Sequence, residues 1–340
     1  MKRLIYGVFV GLWLLLACGK GKSTGSDNTP PVNLTVNVVV ATDSSGNVNF
    51  TAAATNAVSY DYDFGNGTFQ TVASGMVAYK YTASGVYTVN VVAKSAGGQI
   101  VSKSVQVTIA VKQSLIWSEE FDTPGSPNAT KWGYDTGGGG WGNNELEYYT
   151  NRTDNVNISN GTLKIIALKE NYGGSTYTSG RILTKDKFAF KYGKIEVRAK
   201  LPADKGTWPA IWMLGSNIAT APWPACGEVD IMEHVANQLN KIFGTIHYPG
   251  HSGANGVGGT TVISTATTDF HRYAVIWTAT NIQFLVDDVA YFSTPNNATM
   301  PFNQNFFIIL NLAIGGNFGG TVDPAFSNTQ VEIDYVRVYQ

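Results

Sequence analysis

Short strand-like segments with turn signals between them recur through most of this chain, and this recurrence constrains the fold more than any other feature. Apolar and polar residues alternate in segments such as VNLTVNVVVA, GVYTVNVVAKS and GKIEVRAKL, as they do in a strand with one buried face. Hardly any stretch has the longer period of an amphipathic helix. The 37 glycines and the abundance of Val, Thr, Asn and Tyr agree with an all-β protein.

The N-terminal segment carries the signals of export. Residues 1–18 begin with Lys2 and Arg3 and continue as a short apolar run, typical of a signal peptide rather than a membrane span. Its ending, LLAC, resembles a bacterial lipoprotein box, which implies lipidation of Cys18; an ordinary cleaved signal with an incidental cysteine is the alternative. The Gly/Ser-rich residues 19–30 predict a flexible linker. We expect a lipoprotein of the bacterial cell envelope, on the periplasmic side of the outer membrane or on the cell surface.

Charge and cysteine content restrict the partners. The net charge is −1, so neither nucleic acid nor an anionic membrane surface is an expected partner, and membrane contact is expected only through the N-terminal lipid. The other cysteine, Cys226, is expected to be a buried packing residue. We expect the protein to be a monomer.

Residues 31–111 predict a small β-sandwich of several short strands. The stretches YDYDFGNG and YKYTASGVYTVNVVA in this region resemble the polycystic-kidney-disease (PKD) repeat, an immunoglobulin-like module common in secreted polysaccharide-degrading enzymes. The resemblance implies a spacer or a weak carbohydrate binder, and the sequence leaves both open.

Residues 112–340 predict a larger domain built almost entirely of strands, with a two-sheet jelly-roll sandwich as the leading architecture. The glycine-rich stretch TGGGGWG lacks the strand-then-helix context of a phosphate-binding loop. It is interpreted as a loop whose backbone comes close to a ligand.

The stretch GEVDIMEHV carries three carboxylates in a largely apolar strand. Alternation puts Glu228 and Asp230 on one face and Glu233 on the other, where an unpaired carboxylate would be costly. A β-bulge at Ile231–Met232 would return Glu233 to the face of the other two acids. The sequence thus predicts three acids along one groove.

Such a row suits glycoside hydrolysis, which needs a carboxylate nucleophile and a protonated acid about 5–5.5 Å apart when it proceeds with retention, and a wider pair of carboxyls when it proceeds with inversion. Asp230, lying between the two glutamates, would hold one of them by a hydrogen bond and raise the pKa of the other. Solvated surface acids, or metal ligands, are the alternatives, although the apolar neighbours disfavour a solvated strand.

GEVDIMEH resembles the E-x-D-x-x-E signature of glycoside hydrolase family sixteen, in the bulged form found in bacterial laminarinases. Four other stretches also look like motifs of this family: LIWSEEFD, WGNNELEYYT, GTWPAIWML and IDYVRVYQ. The resemblance therefore spans residues 115–340. It implies that Glu228 is the nucleophile, Asp230 its support and Glu233 the general acid/base of an endo-β-1,3-glucanase that needs no catalytic cofactor. The expected partner is a laminarin-type β-glucan.

A glycan groove needs flat aromatic platforms and polar groups that recognise hydroxyls. On the family resemblance we expect the platforms to be Trp208, Trp212 and Trp223. Asn144 and Arg181 are the candidates for hydroxyl recognition, and His247 is expected to face the acid/base residue.

The four histidines show no zinc spacing. The family resemblance implies a structural calcium ion held by Asp334 and by the backbone oxygens of Glu120 and Gly161, which are the hard ligands that calcium prefers. Other substrates stay open, namely mixed-linkage glucan, agarose and carrageenan. A non-catalytic glycan-binding lipoprotein is the alternative from another class.

Overall fold

The structure is a computed structural model that describes residues 29–82 and 84–340. Cys18 and most of the predicted linker lie outside these residues. The chain divides into two compact units, one formed chiefly by the strands up to Ile109 and the other chiefly by Ala110–Gln340. Among the described residues, no helix is long and apolar enough to cross a membrane.

The smaller unit is a pair of antiparallel sheets. Its strands are β1 (Val32–Val40), β2 (Asn47–Thr55), β3 (Ser59–Asp63), β4 (Phe69–Val72), β5 (Met76–Lys80), β6 (Gly85–Lys94) and β7 (Ile100–Ile109). One sheet has the order β1-β2-β5 and the other β4-β3-β6-β7. Alternate residues turn inward, and the buried rings of Phe50, Tyr62 and Phe64 pack together at the centre. This confirms the predicted immunoglobulin-like module.

The larger unit continues the numbering from Leu115. Its strands are β8 (Leu115–Glu119), β9 (Gly133–Tyr134), β10 (Glu147–Tyr149), β11 (Val156–Ser159), β12 (Thr162–Tyr172), β13 (Ser175–Ser179), β14 (Arg181–Leu183), β15 (Gly193–Lys200), β16 (Thr207–Gly215), β17 (Glu228–His234), β18 (Lys241–His247), β19 (Val257–Val262), β20 (His271–Trp277), β21 (Asn281–Val286), β22 (Val289–Pro295), β23 (Phe306–Ile314) and β24 (Asn328–Tyr339). The helical turns are α1 (Gly316–Gly319) and two 3₁₀ segments, Ala236–Gln238 and Gly253–Asn255.

Two large sheets make up this unit. Within the described residues, one follows the order β10-β13-β12-β24-β15-β20-β21-β22, with β11 and β8 beside it, and the other runs β19-β18-β17-β16-β23-β14-β9. Apolar side chains from both sheets form one core cluster, to which β17 contributes Val229, Ile231 and Met232. Burying one such side chain stabilises the fold by roughly 1.5–3 kcal/mol. The predicted jelly-roll sandwich is confirmed.

The second of these sheets carries the candidate site, and its centre is fixed by β23. All nine residues of this strand are buried, which is typical of a strand covered on both faces. Asn311 is its one polar residue, and it lies opposite Ala210 on β16 and Arg181 on β14. The sheet therefore brings three distant chain segments together around Asn311.

Candidate active site

The strand β17 contains the predicted bulge. On β16, Trp212 lies opposite Asp230 while the next residue back, Ile211, lies opposite Met232, so Ile231 is the extra residue. The register with β18 shifts over the same residues. Because the inserted residue changes the phase of alternation, Glu233 joins Glu228 and Asp230 on one face, and the apolar residues of the bulge turn to the core.

The three acids line the floor of a groove whose walls come from neighbouring strands. Glu228 lies opposite His247 on β18, and Asp230 lies between Trp212 on β16 and a threonine on β18. Asp230 is buried, whereas Glu228 and Glu233 are partly accessible. The buried acid thus lies between two accessible ones.

Burial raises the pKa of all three acids. The pKa of Glu228 lies well above its ordinary value because of desolvation first and the charge of Asp230 second. Desolvation and the charge of Glu233 raise the pKa of Asp230 in the same way. For Glu233, desolvation raises the pKa and a hydrogen bond from Trp208 opposes the rise. The cluster therefore retains protons at a pH where isolated carboxyls would be ionised, and such groups mark functional sites.

Trp208 is tied directly to the third acid. Its indole Nε1 donates a hydrogen bond to Oε1 of Glu233 at 2.8 Å. Its ring packs edge-on against Phe318, which in turn packs against Phe243 on β18. An N–H donor on Oε1 leaves Oε2 of Glu233 as the oxygen able to hold a proton.

His247 occupies a different place from the one expected. Its Nε2 lies 3.1 Å from Oδ2 of Asp230 and 3.8 Å from Oε1 of Glu228, so the ring faces these two acids rather than Glu233. The correction follows from register, since Glu228 is the residue directly opposite His247. One ligand atom from each of the three residues lies within 4.8 Å of the others, so a cation bound there would occupy the atoms that face the groove.

Arg181 and Trp212 form a stacked platform with a third residue. The Arg181 guanidinium lies 4.9 Å from the Trp212 ring and 4.8 Å from the ring of Trp141. Its Nε is 3.0 Å from a carboxylate oxygen of Asp135. The Trp212 indole donates to Oδ1 of Asn311 at 2.8 Å. Flat faces and N–H donors are thus held in fixed positions beside the acids.

Trp223 and Asn144 lie at more exposed positions. Trp223 is 45 % exposed just before β17, and its ring centre is 6.3 Å from that of His247, as suits a platform. Asn144 is exposed and its amide donates to Oδ1 of Asn317 at 2.8 Å. Cys226 is fully buried, as predicted.

Comparison with known proteins agrees with this geometry. The profile of Glycosyl hydrolases family 16 matches residues 143–337. The chain belongs to this family. The PKD domain profile matches residues 32–111, which confirms the other resemblance.

Two relatives and one solved structure show the extent of the family likeness. The β-glucanase of Rhodothermus marinus is 45% identical over 242 residues, covering 66% of this chain and 85% of that protein. The glucan endo-1,3-β-glucosidase A1 of Niallia circulans is 37% identical over 258 residues, covering 67% and 38%. The X-ray structure of the laminarinase from Rhodothermus marinus matches with a TM-score of 0.65 at 45% identity, over 67% of this chain and 98% of that one.

The calcium site implied by the family resemblance stays a prediction. Strand β24 brings its three residues to one region, because Ile333 pairs with Leu163 beside the Gly161 turn and Val336 pairs with Glu119. The fit is partial, since the carboxylate of Asp334 already pairs with Arg198 and that of Glu120 with Arg337. A cation there would displace a guanidinium from Asp334.

Sequence reasoning did not assign four residues in and beside this family-16 site. Trp141 lies in the quoted motif WGNNELEYYT, but only the folded loop shows that it stacks on Arg181. Asn311 could have been found as the one polar residue of an otherwise apolar buried strand. A buried pair, Glu145 and Glu147, resembles the alternating acids of a solvated strand in the sequence.

Proposed function

We propose that the protein is an endo-acting, retaining hydrolase of β-1,3-glucosidic bonds in laminarin-type β-glucans. The observation that carries the proposal is the bulged strand β17, which presents Glu228, Asp230 and Glu233 to one groove with raised pKa values. The names of the relatives support the choice of β-glucan over other polysaccharides.

In the first step, Oε of Glu228 attacks the anomeric carbon while Glu233 donates its proton to the glycosidic oxygen, and a covalent glycosyl-enzyme forms. Glu233 suits this role because burial raises its pKa and its Oε1 accepts the Trp208 N–H, leaving Oε2 for the proton. In the second step Glu233 takes a proton from a water whose oxygen attacks the anomeric carbon. The bond from that carbon to Glu228 breaks, Glu228 leaves as a carboxylate, and the sugar is released with retained configuration.

Glu228 must be ionised when it attacks. A protonated Asp230 meets this demand, since its O–H can donate a hydrogen bond to Glu228 and so favour the charged form of the nucleophile. The positive charge that His247 carries when protonated also lowers the pKa of Glu228. The chemistry uses only the chain's own carboxyl groups and water.

The groove walls supply binding. The exposed ring of Trp223 and the platform of Trp212 and Arg181 offer flat surfaces to the apolar faces of sugar rings. We assign Asn144 to hydroxyl recognition, because its exposed side-chain amide can both donate and accept hydrogen bonds. The net charge of −1 disfavours sulfated galactans, whose recognition requires clustered Arg and Lys.

The test is incubation of residues 19–340 with laminarin, lichenan, agarose and carrageenan while reducing ends, product sizes and the first-formed anomer are followed. We expect oligosaccharides from laminarin with the β-anomer released first. Products from another polysaccharide would change the substrate, and an α-anomer would overturn the retaining mechanism. Binding without cleavage of any of the four would indicate a glycan-binding protein.

We propose, from the sequence alone, that the chain is a monomer anchored to the bacterial cell envelope through lipidated Cys18. Radiolabelled palmitate incorporation that is lost in Cys18→Ser would support the anchor, and a soluble, unlabelled protein would contradict it. Structural calcium is likewise proposed at Asp334, and a calcium-dependent rise in melting temperature that Asp334→Asn abolishes is its test.

A further inference from the structure

A second buried carboxyl pair lies beside the groove, outside the row of acids assigned above. Glu147 is fully buried on β10 and Glu145, just before it, is 9 % exposed. A hydrogen bond with Glu145 is among the causes that raise the pKa of Glu147, and two carboxyls can form such a bond only when a proton lies between them. No step of the proposed reaction uses either residue.

Hydrogen-bond partners identify which carboxyl holds the proton. Glu145 accepts from two donors, the Asn143 amide at 3.0 Å and the Tyr149 hydroxyl at 2.9 Å, so both of its oxygens act as acceptors here. Glu147 accepts one N–H, from Ile314 at 2.7 Å, and its other oxygen, Oε1, is buried with no donor. Burial and the neighbouring Glu145 also raise the pKa of Glu147 well above its usual range.

A chain of hydrogen bonds leads from this pair to the sugar platform. The Tyr149 hydroxyl, fully buried, donates to Glu145 and accepts from the Asn311 amide at 3.0 Å. Asn311 in turn accepts from the Trp212 indole at 2.8 Å. The directions form one consistent chain, because the Tyr149 proton is directed at Glu145 and a lone pair of the same hydroxyl oxygen accepts from Asn311.

The pair also supports the other side of the groove. Gly316 lies against Glu145, since a Cβ added there would come within 3.4 Å of Glu145 Cγ and 3.4 Å of the Trp208 ring. Its φ of +73° further favours glycine. The next residues carry Phe318 onto Trp208, and Trp208 donates to Glu233.

We propose that Glu147 and Glu145 form a protonated carboxyl–carboxylate pair whose charge on Glu145 orients Tyr149 and Asn311 and thereby positions Trp212 for glucan binding. The proposal rests on the proposed function for its substrate. Both glutamates are positioning residues, because neither touches the reacting atoms.

Three variants test the assignment by kinetics on a β-1,3-gluco-oligosaccharide. Glu145→Gln removes the charge and should raise KM about tenfold while kcat changes less than about threefold. Glu147→Leu removes the proton donor and should raise KM to a similar extent. Glu147→Gln keeps an N–H directed at Glu145 and should restore KM to within about twofold of the parent. Glu170→Gln, an acid paired with Arg152 and 34% exposed, is the matched control.

Two substrate-free measurements separate this proposal from the substrate assignment. The infrared carbonyl band of a buried protonated carboxyl should be lost in the difference spectrum of Glu147→Gln and kept in that of Glu145→Gln. The near-ultraviolet circular dichroism of the tryptophans should change in Glu145→Gln and Glu147→Leu only. These results are independent of which glucan is cleaved.

Two outcomes would overturn the proposal. If Glu147→Gln is as impaired as Glu147→Leu, the site requires an anion at Glu147 rather than a proton donor. If the variants lower the melting temperature while KM and the tryptophan spectrum stay at parent values, the pair is structural and positions nothing.

Discussion

The two faces of β17 carry ionisable groups that burial shifts toward neutrality, yet only one face is suited to chemistry. On the groove face, desolvation raises the pKa of Glu228, Asp230 and Glu233. On the core face, the adjacent His234 is fully buried, and desolvation lowers its pKa from 6.5 to about 4. Desolvation thus favours the neutral form of both kinds of group, so it raises the pKa of the acids and lowers that of the neighbouring histidine.

Access and partners make the difference. Glu228 and Glu233 keep exposed surface at the groove and have charged or donor groups beside them, namely His247 and Trp208. Neither ring nitrogen of His234 has a hydrogen-bond partner, and no part of the ring is exposed. A shifted pKa therefore indicates a catalytic group only when a substrate can reach it.

The largest expected effect comes from removing the nucleophile on the groove face. Glu228→Gln should lower kcat by at least about 10⁴-fold, because no other carboxylate replaces it at the anomeric carbon. Its melting temperature at pH 7 should equal or exceed that of the parent, because a carboxyl whose folded pKa is raised destabilises the fold once it ionises. Glu170→Gln is the control for kcat, which it should leave near the parent value. A clear fall in the melting temperature of Glu228→Gln would contradict a purely chemical role for Glu228.

On the core face, His234 should make the free energy of unfolding depend on pH. Because the folded pKa of His234 is about 4 and its ordinary value 6.5, the unfolded chain alone binds the proton between these values, so stability falls as pH drops through that window. The loss amounts to roughly 3 kcal/mol by pH 4 and below. At pH 7 both states are neutral and nothing is lost.

Urea unfolding at pH 7 and pH 4.5 measures this contribution. In His234→Leu the difference between the two pH values should shrink by roughly 2 kcal/mol relative to the parent. The exposed His251, changed to Gln, should leave the difference unchanged. The groove acids change the free energy of unfolding with pH in the opposite direction, but they do so equally in parent and variant, so their effect cancels when the two are compared. If His234→Leu shows the same pH difference in unfolding free energy as the parent, water reaches the ring of His234.

A smaller effect should follow from the hydrogen bond that links the groove face to Trp208. That bond lowers the pKa of Glu233, so Trp208→Phe should raise it. Since the acid works protonated, the basic limb of kcat should move to higher pH. Trp212→Phe loses a bond to Asn311 rather than to an acid, and its basic limb should stay in place.

Strand alternation and turn signals in the sequence were enough to predict the all-β fold and the arrangement of acids on β17. The bulge at Ile231–Met232 could be predicted because an unpaired carboxylate on the core face is costly, and strand alternation then placed all three acids together. Nothing comparable located His247, since its neighbour depends on the register of β18, and the turn before that strand does not specify it.

The remaining parts of the site depend on contacts between distant segments. Trp141 stacks on Arg181 only because β14 pairs with β23 and a glycine loop folds back over it. Glu145 and Glu147 are buried because the turn after β23 lies against them, and a bridge joins Glu145 to Gly315. In the sequence these two acids alternate as they would on an exposed strand.

The smallest expected effect concerns the rim of the groove face, where Trp223 is 45 % exposed. Trp223→Ala should raise KM for a short β-1,3-gluco-oligosaccharide about fivefold, since one aromatic contact contributes about 1 kcal/mol, with kcat and melting temperature near the parent values. Phe69→Ala, at a 71 % exposed ring of the small domain, should leave that KM unchanged. If Phe69→Ala instead raises KM only for long polymers, the small domain binds glucan. Equal KM values in Trp223→Ala and the parent would show that Trp223 does not contact this substrate.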